Sequence, residues 1–212
     1  MDLVFVLDSS ESMIENDPWG KPYYHWDIFK KFTQDIVQNL PVGYDRTQVG
    51  FVQYSKSPQL VFPLNQHQTS INVQDAIKNN VNHLGGYTYT SEALRFIGSE
   101  AFSQAKGERH DARDVVVIIS DGLSNYDYAN TLLSAKQLKL SRPGLEIYTV
   151  GASKYVDEDE LKGIASDPKD KYFLQLRDFK LMENYTQTMV HHLCNLPDPS
   201  LPGKYQQLYV IK

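Results

Sequence analysis

Asp8 is followed at steps of two by Ser10 and Ser12, so three oxygen-bearing side chains lie within five residues. They come directly after an uninterrupted apolar run, Leu3-Val4-Phe5-Val6-Leu7. Far along the chain, Asp121-Gly122 follows a second such run, Val115 to Ile119. Between the two lies Gly85-Gly86-Tyr87-Thr88-Tyr89-Thr90, a glycine-loosened loop that offers the hydroxyl of Thr88. Brought together, these residues present two carboxylates and three hydroxyls, with no His or Cys suitably placed beside them. Such an all-oxygen set suits a hard divalent cation, Mg²⁺ first and Ca²⁺ or Mn²⁺ after it, and argues against zinc. Neutral hydroxyls would leave the cation under-neutralised, so it would seek one further anionic oxygen from outside. Taken singly, the same residues have plainer uses: Asp8 and its serines as a helix N-cap, Asp121-Gly122 as a turn.

For the cage to close, the elements must carry these loops to one place. Leu3 to Leu7 and Val115 to Ile119 are apolar without alternation, the pattern of strands buried on both faces. From Tyr24 to Leu40, Trp26, Phe29, Phe32, Ile36, Val37 and Leu40 recur at helical spacing, and Pro41 ends the run. Gln48 to Tyr54 and Gln59 to Leu64 flank Ser55-Lys56-Ser57-Pro58 as a hairpin, with Pro63 placing the second strand at an edge. Helices are expected over Val73–Val81, Ser91–Phe102, Tyr128–Leu140, Asp157–Ile164 and Phe179–Leu193, and strands over Leu145–Val150 and Tyr172–Leu176. Thr90 or Ser91 is expected to cap its helix. This alternation predicts a doubly wound α/β domain, a mostly parallel sheet with one antiparallel edge strand and helices on both faces. Sheets of this kind bind ligands beyond the carboxyl ends of their strands, where Asp8 and Asp121 would sit.

The bulk numbers narrow the function. At 212 residues the chain suits one large domain, and a single Cys194 allows no intrachain disulfide. Residues 1–194 read as that domain, and 195–212, punctuated by Pro197, Pro199, Pro202 and Gly203, as a linker or extension. A net charge of −5 without basic clusters argues against nucleic acid, and no apolar stretch is long enough for membrane insertion. The chain enters its first strand straight after Met1, as an excised domain would, so a missing signal segment says nothing about the parent protein's address.

Asp8-Ser9-Ser10-Glu11-Ser12 resembles the D-x-S-x-S signature of von Willebrand factor A domains and integrin inserted domains. Gly85 to Thr90 resembles their G-G-x-T-x-T loop, and Ser120-Asp121-Gly122-Leu123-Ser124 their T-D-G-x-S segment, with Ser in place of Thr at 120. The resemblance covers residues 2 to about 193 and is nearer to the matrix members of collagen VI, matrilin and cochlin type. It implies a metal-ion-dependent adhesion site in which Ser10 and Ser12 are direct ligands. Thr88 would engage according to conformation, while Asp8 and Asp121 bind directly or through water. It further implies a secreted extracellular matrix module whose metal takes a Glu or Asp carboxylate of a partner protein, such as collagen or another matrix glycoprotein. The family also suggests a switch in which the metal shell shifts toward Thr88 as the last helix moves. Glu11 is read as a non-ligand that adds negative charge. Two departures stand out. The stretch from Glu15 to Tyr23 lengthens the loop after the metal motif, making Trp19, Tyr23, Tyr87 and Tyr89 candidates for an aromatic rim, with partly packed surface as the plainer reading. The segment after Asp121 lacks the short extra helix of collagen-binding integrin domains, which argues against collagen recognition in their manner.

Competing readings are an enzyme and an intracellular scaffold. A phosphatase with Asp8 as nucleophile would need an acid where Ser10 stands, and neither a G-x-S-x-G elbow nor a phosphate-binding G-x-x-x-x-G-K-[ST] loop occurs. A signal peptide on the full-length precursor would separate the matrix module from an intracellular von Willebrand A scaffold. Asn184-Tyr185-Thr186 is an N-glycosylation sequon, with Tyr185 facing the core on a helix. His191-His192 is read as helix surface. Glu158, Asp159 and Glu160 fit the start of a helix and its dipole.

Overall fold

The computed structural model describes residues 1–15, 24–120, 124, 127–151, 156–176 and 182–194. Six strands form one sheet in the order β3-β2-β1-β4-β5-β6. They are β1 (Asp2–Asp8), β2 (Gln48–Tyr54), β3 (Pro58–Phe62), β4 (Asp114–Ser120), β5 (Glu146–Gly151) and β6 (Phe173–Gln175). β1 pairs in parallel with both β2 and β4, so the winding direction reverses on either side of it. Only β3 runs antiparallel, and it stops before Pro63, which has no N–H to donate to a ladder. The expected class, doubly wound and mostly parallel with one antiparallel edge, is the one observed.

Every residue of β1 is buried because both faces of the sheet are covered. Leu3, Phe5 and Leu7 face one helical layer, which includes α2 (Tyr24–Gln38), α3 (Ser70–Asn80) and α8 (Met182–Leu193). Val4 and Val6 face the other, built from α4 (Thr90–Phe96), α5 (Tyr128–Ser141) and α6 (Glu158–Ile164). Two further α-helices are short, α1 (Ser12–Glu15) after the first strand and α7 (Lys169–Tyr172) before the last. α2 turns Trp26, Phe29, Phe32, Ile36 and Val37 into the core, as their 3-and-4 spacing demands. Each large apolar side chain so buried contributes about 1.5–3 kcal/mol of transfer free energy.

Two local differences from expectation have physical causes. The helix from Thr90 does not run evenly to Phe102 but widens to a π-turn over Ile97–Ala101, which keeps Ile97, Ala101 and Phe102 all buried. Neither Thr90 nor Ser91 caps α4, whose N-cap position is Tyr89 with no side-chain cap bond. Thr90 Oγ1 is within 3.4 Å of the Tyr54 hydroxyl, and Ser91 donates to Asp127, so both hydroxyls tie loops together.

Candidate functional site

Asp8 is the last residue of β1 and is completely buried. The register Leu7↔Ile119 sets it beside Ser120, the last residue of β4. Ser120 Oγ donates to Asp8 Oδ2 at 2.7 Å, and the Ser10 N–H donates to Asp8 Oδ1 at 2.9 Å. Both oxygens of the carboxylate are therefore oriented, one by the neighbouring strand and one by the loop that follows. Ser120 was recognisable in the sequence only as a substitution for the usual Thr. Its role emerges from the parallel pairing of β1 with β4.

Beyond Asp8 the chain turns sharply. The Ser9 N–H donates to Tyr54 O at 2.7 Å, which fastens the turn to the end of β2. Ser9 Oγ accepts from the Leu84 N–H at 2.9 Å and donates to Asn82 O at 3.2 Å. Ser9 is thus spent on holding the loop, while Ser10 and Ser12 bring their Oγ atoms to 3.2 Å from each other. Neighbouring ligands on an octahedral cation lie about 2.9 Å apart at Mg²⁺ bond lengths and about 3.4 Å apart at Ca²⁺ bond lengths. The serine pair falls in that range, so both hydroxyls could serve one ion.

The loop bearing Thr88 is zipped against this turn by backbone bonds. The Gly85 N–H donates to Ser9 O and the Glu11 N–H to Gly86 O, each at 2.9 Å. Gly85 and Gly86 have φ of +68° and +85°, and a Cβ on Gly85 would sit 2.7 Å from Glu11 Oε2. Glycine at both positions follows from the left-handed backbone. Glu11 Oε2 accepts from the Gly86 N–H at 3.4 Å, so Glu11 clamps the two loops as well as adding charge. Two residues on, Thr88 is buried, and the Tyr89 N–H donates to Ser55 O at 3.0 Å. His83 Nε2 lies 2.9 Å from Ser10 O and packs edge-on against Trp26 of α2 at 5.4 Å, which ties the turn to the helical layer.

The fifth expected ligand, Asp121, lies outside the described residues, as do Trp19 and Tyr23 of the expected rim. Tyr87 is half exposed with the Lys56 ammonium 5.8 Å from its ring centre, and Tyr89 is partly buried. Asn184 is exposed on α8, while Thr186 of the same sequon is buried. His192 is partly buried and stacks on Tyr148, so the second of the two histidines is more than helix surface. Among the described residues no group of three or more His, Cys, Asp and Glu converges.

Two further titratable groups, Tyr54 and Glu160, are buried near the site. The Tyr54 hydroxyl is pushed well above its ordinary pKa by burial, reinforced by the charge of Asp8, and stays a neutral phenol. Glu160, in the first turn of α6, does more than fit the helix dipole: it is fully buried and accepts from Ser124 Oγ at 2.6 Å and from the Ser124 N–H at 3.4 Å. Burial raises its pKa to about 7 against the opposing pull of the Ser124 bonds, with Asp157 and Asp8 adding repulsion. The one signal for this in the sequence is Glu160's place beside Leu161 and Ile164, the apolar face of α6.

A doubly wound sheet with a D-x-S-x-S turn at its switch point, a G-G-x-T-x-T loop zipped to it and a neighbouring hydroxyl on the carboxylate defines a class. The chain belongs to the von Willebrand factor type A domain family, whose model matches residues 2–188. Its relatives include the collagen alpha-1(XII) chain of Notophthalmus viridescens, 34% identical over 92% of this chain and 19% of that protein. Matrilin-1 of Gallus gallus is 31% identical over 94% of this chain and 37% of its own length. The chain thus spans well under half of the relatives it matches. Among solved structures, proximal thread matrix protein 1 of the mussel byssus, in a form with a zinc-occupied MIDAS motif, superposes with a TM-score of 0.79 at 24% identity, covering 91% of this chain and 48% of the other. Manganese-loaded TRAP protein of Plasmodium vivax superposes with a TM-score of 0.70 at 15% identity, covering 89% and 71%. These likenesses establish the shared fold.

Proposed function

We propose that this chain is a non-enzymatic adhesion module of the extracellular matrix that captures an acidic side chain of a partner protein through a divalent cation. Ser10 and Ser12 bind the cation directly, Asp8 and Asp121 bind it directly or through water, and Thr88 joins according to conformation. Mg²⁺ is the preferred ion, with Mn²⁺ or Ca²⁺ able to replace it. The observation that carries the reading is the meeting of an oriented, buried Asp8 with the paired Ser10 and Ser12 hydroxyls at the switch point. When bound, the cation would supply an electrophilic centre for an incoming carboxylate. The chain's own part is to hold hydroxyl oxygens at ligand spacing and to keep the Thr88 loop seated on the turn.

Support for a matrix setting comes from the collagen and matrilin relatives, and support for a metal from structural neighbours carrying zinc or manganese. Within this reading residues 1–194 are the working domain of a secreted protein, Asn184 is exposed enough to carry a glycan, and Tyr87 and Tyr89 contribute to the rim that selects partners. The test is a binding screen against immobilised matrix proteins, collagen among them, in Mg²⁺ and in excess chelator. Binding is expected only with metal and only for the wild type, not for Asp8→Ala. A partner bound equally well in chelator would overturn the mechanism.

A further inference from the structure

The proposed metal loops need support from behind, and Glu160 is placed to give it. Its side chain leaves the first turn of α6, where Asp157 Oδ1 accepts from the Glu160 N–H at 3.0 Å, and runs inward to Ser124. There it takes the Ser124 hydroxyl and faces its backbone N–H, while Thr131 Oγ1 of α5 donates to Ser124 Oγ at 3.3 Å. Ser124 stands three residues after Asp121, in the short connection between β4 and α5. A buried acceptor thus holds Ser124 by both its hydroxyl and its backbone N–H. The arrangement is costly. Glu160 is fully buried, it forms no ion pair among the described residues, and its Oε1 has no hydrogen-bond partner. A buried unpartnered carboxyl oxygen calls for a reason, because an apolar side chain in its place would relieve the desolvation cost.

We infer that Glu160 is a positioning residue for the cation site, acting through Ser124, which follows the expected ligand Asp121 by three residues in the sequence. The inference rests on the metal-site reading proposed above. Groups that orient metal-ligating side chains typically change metal affinity about 10–100-fold when removed. Glu160 would belong with Ser120 on Asp8 and Glu11 on the glycine loop, each fixing a different part of the cage without touching the ion.

The experiment is Mg²⁺ and Mn²⁺ titration calorimetry on wild type, Glu160→Leu, Glu160→Gln and Ser124→Ala, with thermal unfolding of each metal-free protein alongside. Glu160→Leu fills the space without polar atoms, so it is expected to keep a cooperative unfolding transition while its metal affinity falls about 10–100-fold. Glu160→Gln keeps an oxygen that accepts from Ser124 and is expected to recover affinity to within a few-fold of wild type. Ser124→Ala weakens affinity in the same direction and carries the test if Glu160→Leu does not fold. Wild-type affinity in a folded Glu160→Leu or in Ser124→Ala would overturn the inference and leave the metal site standing. Absence of metal binding by the wild type would instead overturn the metal site itself.

Discussion

The two ends of the sheet treat buried charge in opposite ways. At the amino ends of the strands, guanidinium groups meet the carboxylates. Arg109 grips Asp2 at 2.6 Å and also donates to the backbone oxygens of Met1, Tyr44 and Arg46. Arg113 pairs with Glu146 and donates to Leu193 O at 2.8 Å, which fastens the end of α8, and Arg142 bridges Glu108 and Asp114. At the carboxyl ends, Asp8 and Glu160 are held by hydroxyls and backbone N–H groups. One end settles its charges within the chain and welds the fold. At the other, the described contacts of Asp8 and Glu160 come from hydroxyls and backbone N–H groups, the setting in which the proposed cation would bind.

The comparison breaks most readily at Arg109. Arg109→Ala leaves the fully buried Asp2 carboxylate without its guanidinium and should lower unfolding stability by about 3–5 kcal/mol in urea titration. Metal affinity of the folded fraction should be unchanged, since the two ends are independent. A loss below about 1 kcal/mol would show that the welded end is not what it looks like.

At the opposite end the expected cost to stability is smaller and the cost to binding larger. Gly85→Ala places a Cβ against Glu11 on a left-handed backbone and should destabilise by about 1–2 kcal/mol. It should also displace the Glu11 clamp and weaken Mg²⁺ binding in calorimetry. Full metal affinity in that variant would mean that the seating of the Thr88 loop does not matter to the cation.

The smallest effect tests the weak point of the welded end, where Glu108 and Asp114 share one guanidinium. Burial, with repulsion from Glu108 and Asp2, raises the Asp114 pKa to about 6 against the pull of Arg142. A carboxyl whose folded pKa exceeds its unfolded value binds its proton more tightly when folded. Its contribution to stability therefore falls as pH rises from about 4 through about 6 and is level beyond. Asp114→Asn cannot titrate, so its stability relative to wild type should improve by about 1 kcal/mol between pH values of about 4 and about 7.5. A pH-independent difference would contradict the assignment.

How far the sequence revealed this division depended on the range of the interaction. β1 and β4 were legible from their unbroken apolar runs, and α2 from the spacing of Trp26 to Val37, because each pattern is local. The placement of Asp8 at a strand end followed from the same runs. The bond from Ser120 to Asp8 was not legible, since it requires knowing that β1 and β4 pair in parallel at that register. Glu160 resembled its acidic neighbours Glu158 and Asp159, which are not buried, and only the packing of Leu161 and Ile164 against the sheet turns it inward. Thr90 and Ser91 looked like caps because capping is the local use of a hydroxyl. Tyr54 and Asp127, distant in sequence, claim them instead.

The central claim is that the hydroxyl-lined end binds a divalent cation through Asp8 and its serines. Titration calorimetry of Mg²⁺ into wild type and Asp8→Ala tests it most directly. The account predicts one saturable site in the wild type and none in Asp8→Ala, with cooperative unfolding kept in both. Equal binding by the two proteins, or no binding by the wild type, would contradict it.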